Sequence, residues 1–530
     1  MRILGRWLLY TIVAVFSAVI FVNVYFKTEL TERVQGRVQE LVHDESKDPL
    51  PPLEHNSIPE LWAHWSEVIW DARPDIPEIV LRARAPDIMV TQKDNATRSP
   101  FTELVINNER AVKSLGKSHK RFVKELDRLE GLSTLFTGYG VALVGGGEYF
   151  GPAITSIQML RRSGCRLPVE VFVADDSEYE KHVCDEFLPK LNAKCLIVTD
   201  FVKAPGTRQM EIKRFQLKAL ALLFTSFKHV LFLDSDSIPL MNPYQQLMKS
   251  DPYLHKGMVS WPDFWLSTES PSFWAIAGKK EFPKDLPVTA SESGQLLINK
   301  GTHLKAVLLA AYYNMWGPGY YYPLLSQEAV GQGDKETFLA ATVVMGLPYY
   351  RVKEKVVAVQ NDDGEHSRGR AMLQYHAGDD FGNVIQYTDN YMTAEPRAVR
   401  PFFLHANIPK MNAGHLMKEG DIFSAEDKRK RWRLLGTKEN QMKTFGFDVE
   451  AMLWELMQTT ACELADKLND WKSTPGLCEK IIEHVDALIH GKVKEAKPPG
   501  QEKKPPITKK EDEIPGLPLY TTTPDDIPDY

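Results

Sequence analysis

The sequence predicts an α/β protein built on a mostly parallel sheet with helices on both faces, preceded by an N-terminal transmembrane helix. Three observations lead there. Short apolar runs without polar alternation recur between helical patterns, one of those runs ends in two aspartates a single residue apart, and an uncharged stretch of bilayer length opens the chain. Strands that alternate with helices of about 10–15 residues give a parallel sheet, and strands apolar on both faces are covered on both sides.

Composition bounds the rest. The 530 residues are 43% hydrophobic and 25% charged, which supports a globular core. At about 100–200 residues per domain, this length admits two or three domains, or one large domain with appendages. The net charge of −6 argues against nucleic acid as the main partner, since phosphate binding favours a basic surface. Five cysteines exclude a disulfide-built scaffold and leave room for one or two bridges.

Residues 1–6 form a short basic tail, and Trp7 to Phe26 carries no charge. Twenty helical residues at about 1.5 Å each match a hydrocarbon core of about 30 Å. Arg2 and Arg6 precede the run, which keeps the N-terminus cytosolic and sends the remainder across the membrane. A cleaved signal peptide is the alternative, but its apolar region is usually about 7–15 residues. Asn23-Val24-Tyr25-Phe26 offers no small-residue cleavage site, so a retained anchor is expected. In a lumenal setting Asn95-Ala96-Thr97 becomes a usable glycosylation acceptor. Cys462 and Cys478 flank a Trp471…Pro475-Gly476 turn and can pair there, while Cys165, Cys184 and Cys195 are an odd set whose pairing stays open.

Residues 27–131 are charged and interrupted by proline, with a helical pattern over Ala111–Leu129, and are expected to form a stem whose last helices dock on the working domain. From 132 the pattern changes. Val141–Val144 is a strand followed by Gly145-Gly146-Gly147, and Ala153–Ser163 is a helix. Val169–Val173 is a strand, Glu178–Lys190 a helix and Cys195–Val198 a strand. Ile212–Phe227 is an amphipathic helix and His229–Leu233 the fourth strand. Met258 to about Asn412 is richer in aromatics and suits an α+β half covering one end of the sheet. Lys/Arg-rich helical segments then run from Ala425 to about His490. A charged, Pro-rich tail at 491–530 lacks the apolar area to offset its ordering entropy.

The fourth strand ends in Asp234-Ser235-Asp236. Ligands of open α/β sheets bind beyond the carboxyl ends of strands, and side chains at i and i+2 point the same way. Two hard oxygen ligands with open positions suit Mg²⁺ or Mn²⁺ completed by phosphates and water. Turn chemistry is the plain alternative for Asp-x-Asp. Phosphatases of the haloacid-dehalogenase type also use it, but after their first strand and with Thr or Val two residues on. Here three strands precede the pair and Ser237-Ile238 follows.

Other parts are supporting. The Gly145–Gly147 turn lets a nucleotide approach the backbone. Lys213, Arg214 and Lys218 lie on the preceding helix within reach of phosphates, or simply on a solvated face. Ser291–Asn299 mixes small and polar residues ahead of a strand and suits a sugar pocket. Asp334 fits an N-cap in Gly331-Gln332-Gly333-Asp334-Lys335-Glu336-Thr337. Phe402-Phe403-Leu404-His405 is a strand ending in a third candidate ligand, with Lys410 as a phosphate contact. Trp261, Trp265 and Trp274 suit either sugar stacking or the core.

Taken together, Val144-Gly145-Gly146-Gly147 with Tyr149-Phe150-Gly151-Pro152, Arg161 to Glu170, Phe215 to Leu222, Asp234-Ser235-Asp236, Glu292-Ser293-Gly294-Gln295, Gly333 to Phe338 and His405 resemble the fungal Golgi alpha-mannosyltransferases (glycosyltransferase family 71). The likeness covers roughly residues 132–480 and is nearest the alpha-1,2-transferring branch that builds mannan side chains. It implies a GT-A-like, Rossmann-type nucleotide-sugar-binding domain over 132–490 in a type II Golgi membrane protein with a lumenal catalytic domain. GDP-mannose is the implied donor, Mn²⁺ (or Mg²⁺) the cofactor, a mannose-containing glycan the acceptor, and retention the stereochemical outcome.

The resemblance puts the metal on Asp234 and Asp236, with His405 as third ligand. The donor falls to Gly145, Gly146, Tyr149, Arg214, Lys218 and Lys410, and Asp334 and Glu292 take positioning roles in catalysis. The alpha-1,3 branch shares many of these motifs, so linkage stays open. A catalytically silent lumenal glycan-binding scaffold is the alternative from another class.

Overall fold

A computed structural model describes residues 57–94, 98–129, 135–361, 368–388, 397–423 and 431–491. The expected anchor at 7–26, the sequon at Asn95 and the tail from 492 lie outside these residues. Among the described residues no helix is long and apolar enough to cross a membrane.

The first elements correct the expected stem. Helix α1 (Ile58–Asp71) is capped by Ser57, whose hydroxyl accepts the Glu60 N–H, and it buries Leu61, Trp62, Trp65 and Ile69. Helix α2 (Asn108–Asp127) buries Ala111, Leu115, His119, Phe122 and Leu126, one stripe at helical spacing. The leucines and Phe122 contribute roughly 1.5–3 kcal/mol each through burial. His119 Nε2 lies 2.7 Å from the Tyr313 hydroxyl, and Phe122 stacks on Tyr312. The segment from Ile58 onward is therefore part of the body.

The sheet follows. β1 (Thr137–Val144), helix α3 (Phe150–Arg162), β2 (Val169–Val173), β3 (Ala193–Ile197), helix α4 (Leu217–Phe224) and β4 (Phe227–Leu233) come in that order. Next are β5 (Ser237–Pro239), β6 (Met258–Leu266), β7 (Thr289–Asn299), helices α5 (Lys300–Met315) and α6 (Thr337–Val344), and β8 (Tyr350–Arg351). Last come β9 (Val357–Asn361), β10 (Arg368–Tyr375), β11 (Pro401–His405) and helices α7 (Ala413–Glu419), α8 (Val449–Leu464) and α9 (Leu477–Leu488).

Seven strands form one sheet in the order β3-β2-β1-β4-β7-β6-β8, and a second, antiparallel sheet runs β5-β11-β10-β9. β3, β2, β1 and β4 are mutually parallel, as expected, but β7 runs antiparallel to both β4 and β6. The β6–β7 connection stays at one end of the sheet, so the chain must return in the opposite sense. The sheet is thus mixed. Successive residues of β1 and β4 face opposite cores. Val141, Leu143, Leu231 and Leu233 join one apolar cluster, and Ala142, Val230 and Phe232 join the other. Burial on both faces explains the lack of polar alternation.

From β1 the chain moves to β2 on one side and later to β4 on the other. The crevice between the carboxyl ends of β1 and β4 is therefore a topological switch point, where ligands of such sheets bind. The expected amphipathic helix over 212–227 is shorter, with helical turns only from Arg214 and α4 buried almost all round. It is wedged between sheet and α5, so its pattern is apolar on every face except Lys218.

Helices α8 and α9 pack on the same face as α3, through Trp454, Leu453 and Ile481, and are stapled by a Cys462–Cys478 disulfide. Cys184 and Cys195 form a second bridge, and Cys165 is buried and free.

Candidate active site

The Asp234–Asp236 turn joins the two sheets. β4 ends at Leu233, and the Asp234 N–H donates to the Gly294 carbonyl of β7 at 2.8 Å. The Ser237 N–H closes the turn on the Asp234 carbonyl at 3.0 Å, and β5 begins there. β5 pairs with β11 in a register that sets Ser237 opposite His405, while the Ala406 N–H donates to the Asp236 carbonyl at 2.9 Å. Register alone thus brings a histidine 169 residues away in sequence to the second aspartate.

Ligand atoms of Asp234, Asp236 and His405 lie within 4.8 Å of one another. His405 Nε2 is 3.1 Å from Asp236 Oδ1, and its Nδ1 is 3.2 Å from Glu292 Oε1. Lys410 Nζ donates to the other Asp236 oxygen. Lys218 Nζ reaches Asp234 at 3.0 Å, Asp334 at 3.1 Å and the Ser293 hydroxyl at 2.8 Å. Glu292 accepts the Gly294 N–H at 2.5 Å and a bond from the Gln295 amide. Gly294 is required: a Cβ there would stand 2.6 Å from His405 Nδ1.

The electrostatics follow from crowding. Burial pushes the half-buried Asp234 carboxyl up to about 6, against the pull of Lys218 and His405. Burial also opposes charge on Asp236, but His405 and Lys410 outweigh it and hold that carboxyl far below its ordinary value. His405 is raised well above an ordinary histidine, because Asp236 and Glu292 overcome its desolvation. Burial opposes charge on Lys218 too, yet Asp234 and Asp334 keep it above the usual lysine value. The carboxylates of Asp234, Asp236, Glu292 and Asp334 outnumber Lys218, Lys410 and His405, so the cluster has room for added positive charge.

The donor set fits a divalent cation. Two carboxylates and an imidazole converge, and the imidazole is backed by Glu292 on its other nitrogen, the arrangement that fixes the tautomer of a metal-binding histidine. His405 Nε2, the nitrogen that would bind a cation, is the one that faces Asp236.

Several sequence expectations change here. Asp334 does not cap α6; Glu336 occupies that position, and the Asp334 carbonyl accepts the Thr337 N–H while its carboxylate turns to Lys218. Glu292 lies within β7 and is saturated by His405, Gly294 and Gln295, which makes it a brace for His405. Ser291–Asn299 is itself strand. Gly145 and Gly146 turn directly after β1; Gly146 has φ 99°, and a side chain there would also strike the Glu178 carboxylate. Tyr149 lies under Lys410, whose Nζ is 5.6 Å from the ring centroid. The Arg214 side chain lies outside the described residues. Trp261 and Trp274 belong to the core, whereas Trp265 is only half-buried.

One contributor carried no sequence signal. Asn412 donates to the Glu148 carbonyl at 2.9 Å and to Asp470 at 3.0 Å, and accepts the Trp471 indole N–H at 2.8 Å. It caps α7 as well, so one side chain fastens the Lys410 loop to the glycine turn and to the C-terminal helices. In the sequence Ser293 and Gln295 stand only as part of a polar block; their bonds to Lys218 and Glu292 depend on the β4–β7 register.

A family model described as "Mannosyltransferase putative" matches residues 138–286 and 279–376. The first span carries Asp234 and Asp236, the second Glu292 and Asp334, and His405 and Lys410 lie beyond both. Alpha-1,2-mannosyltransferase MNN21 of Candida albicans is 34% identical over 448 residues, covering 73% of this chain and 67% of that protein. Alpha-1,2-mannosyltransferase MNN2 of Saccharomyces cerevisiae is 32% identical over 418 residues, covering 66% and 68%. Among solved structures, the glycosyltransferase GlyE of Streptococcus pneumoniae aligns over 40% of this chain and 45% of that one at 14% identity, with a TM-score of 0.23. That last likeness is too loose to carry an argument. Identity above 30% across two thirds of full-length relatives, with the strand-end aspartates inside the matched span, decides the matter: the chain belongs to the family of fungal alpha-1,2-mannosyltransferases.

Proposed function

We propose that this protein transfers mannose from GDP-mannose to a mannose-containing glycan in alpha-1,2 linkage with retention of configuration, as a metal-dependent, GT-A-like enzyme. The observation that carries this reading is the convergence of Asp234, Asp236 and His405 at the switch point of the sheet, with lysines on either side. The proposed setting is the Golgi lumen, with residues 7–26 as a type II anchor and Asn95 as a glycosylation acceptor.

The chemical difficulty is breaking a sugar–phosphate bond whose leaving group is a multiply charged diphosphate. A divalent ion, Mn²⁺ or Mg²⁺, held by Asp234, Asp236 and His405 would supply Lewis-acid stabilisation of that charge. The chain's own residues do the rest. Lys218 on Asp234 and Lys410 on Asp236, each kept cationic by carboxylates, add positive potential where the diphosphate develops charge. Gly145 and Gly146 let the backbone near Tyr149 approach the donor closely. The Glu292 carboxylate, 3.2 Å from His405 Nδ1, favours positive charge on that side of the ring and leaves Nε2 toward the ligand set. Asp334 holds Lys218 upright between the two acids. The acceptor hydroxyl loses its proton to a donor phosphate oxygen, since Glu292 is already fully engaged.

The test is transfer from GDP-mannose to a synthetic alpha-1,6-mannobiose with and without Mn²⁺, followed by linkage analysis of the product. Expected is a metal-dependent alpha-1,2-linked product with the donor's anomeric configuration. A wild-type protein that neither transfers nor releases GDP would overturn the reading.

A further inference from the structure

A cavity of about 180 Å³ opens at the carboxyl ends of β2 and β3, beside the Gly145–Gly147 turn. At ~30 Å³ per water this is the volume of about six waters, or one fused-ring base. Val198, Val202, Ile212 and Leu217 form its apolar walls, and Asp175, Glu178, Thr199 and Lys213 are its polar lining, with Glu178 Oε2 turned to the Ala174 N–H at 3.2 Å. The strand order places β2 two positions from β4, and at ~4.8 Å per strand that is about 10 Å from the Asp234–Asp236 turn. A ribose carrying a diphosphate spans that interval. Leu217 in the cavity wall is followed directly by Lys218, which contacts Asp234, so cavity and acid pair share one segment.

Asp175 follows β2 in extended conformation and caps a short helical turn, its Oδ1 accepting both the N–H of Ser177 at 2.8 Å and its hydroxyl at 2.6 Å. Those bonds fix the carboxylate's orientation and hold it ionised.

We propose that this cavity is the guanine-reading pocket of the donor site, with the Asp175 carboxylate accepting the N1–H and the 2-amino group of the base and Lys213 donating to its O6. The assignment rests on the transfer reading above and deepens it by naming what selects the nucleotide. A carboxylate pairs with two adjacent donors. Guanine alone among the common bases presents a ring N–H beside an amino group on one edge, with the O6 acceptor next to them. Uracil flanks its single N–H with carbonyls, and adenine sets a ring lone pair beside its amino group, so both would meet the carboxylate with repulsion. Apolar walls on either side suit the faces of a planar ring.

The test is calorimetric titration of the full-length protein, with Mn²⁺ present, using GDP, inosine diphosphate and xanthosine diphosphate. Inosine lacks the 2-amino group, and xanthosine carries a carbonyl in its place. The wild type should bind GDP on the order of 10- to 100-fold more tightly than inosine diphosphate, the usual weight of one charge-assisted hydrogen bond, and should bind xanthosine diphosphate most weakly. Asp175→Asn keeps the helical cap, because Asn caps as well as Asp. It replaces one acceptor by a donor, and should lose the preference for GDP while gaining affinity for xanthosine diphosphate.

Equal binding of GDP and inosine diphosphate by the wild type, or unchanged ratios in Asp175→Asn, overturns the pocket assignment while leaving mannose transfer standing. A wild type that binds no guanine nucleotide and transfers nothing from GDP-mannose overturns the transfer reading, and this inference with it.

Discussion

The two ends of the central sheet each bury a cluster of charged side chains, and they are built on opposite plans. At the amino end, Glu170 of β2 accepts the Thr225 hydroxyl at 2.7 Å, the Ser226 N–H at 3.0 Å and the Ser226 hydroxyl at 2.7 Å, with Lys194 at 3.2 Å. Buried Lys300 donates to the carbonyls of Leu223 and Thr225. Nearly every bond there pairs a charge with a neutral donor or acceptor. At the carboxyl end, charges face charges. Asp334 Oδ2 and His405 Nδ1 are buried in ion-pair contact without hydrogen-bond geometry. A cluster closed by neutral partners has nothing left to offer a ligand. One held together by opposing ions can exchange them for a cation and a diphosphate.

That contrast is open to attack, beginning with its largest effect. Asp236→Asn should lower mannose transfer on the order of 10³-fold, as loss of a principal electrostatic group does, while Tm shifts by no more than about 3 °C. Radiolabel transfer and thermal unfolding measured on the same preparation decide it; a collapse in Tm would mean both ends are structural. Glu170→Ala should do the reverse. Stranding the Thr225 and Ser226 donors costs about 2–4 kcal/mol in urea unfolding, with transfer per folded molecule retained.

Glu292→Gln is intermediate. It keeps the shape but weakens the support behind His405, and Mn²⁺ affinity measured by calorimetry should fall about 10- to 100-fold. Unchanged affinity would remove His405 from the ligand set.

The smallest effect is a control in neither cluster. Burial pushes His119 down to about 4, whereas it titrates near 6.5 when unfolded. Above pH 6.5 the ring is neutral in both states and adds no pH dependence. Below that, the unfolded chain takes the proton first, so stability declines until the folded ring also protonates near pH 4. At pH 5.5 this amounts to about 1.4 kcal/mol, one pH unit below the unfolded value. His119→Gln should flatten the fall in urea midpoint between pH 6.5 and 4, while its loss of the Tyr313 contact shifts the whole curve.

The same contrast explains what could be read from the chain. Strands β1, β2 and β4 are buried on both faces, so their apolar runs announce them, and the acids that end β4 stand out against that background. His405 was legible for the same reason, as a polar stop after Phe402-Phe403-Leu404. β7 was obscured because its polar half, Ser291 to Gln295, is spent on the site and only Leu296, Leu297 and Ile298 carry strand character. Residues 57–129 resembled a stem because their prolines and charges are local, while the partners of Trp65 and Phe122 arrive from α5 and other distant segments. Asn412 gave no warning at all, since its importance lies in what surrounds it and not in its neighbours along the chain.

That asparagine also governs how the protein can be trimmed. Beyond His405 the Lys410 loop is tied to β10 by the Ile408 N–H on the Arg370 carbonyl at 3.2 Å, and at its far end it rests on the Asn412 side chain, whose other handholds are Trp471 and Asp470. Shortening the polypeptide ahead of the α8–α9 hairpin would remove none of the residues assigned to chemistry, yet it would unmoor the lysine that guards Asp236. The α8–α9 hairpin is a splint, and an enzyme fragment chosen by counting catalytic side chains would be cut in the wrong place.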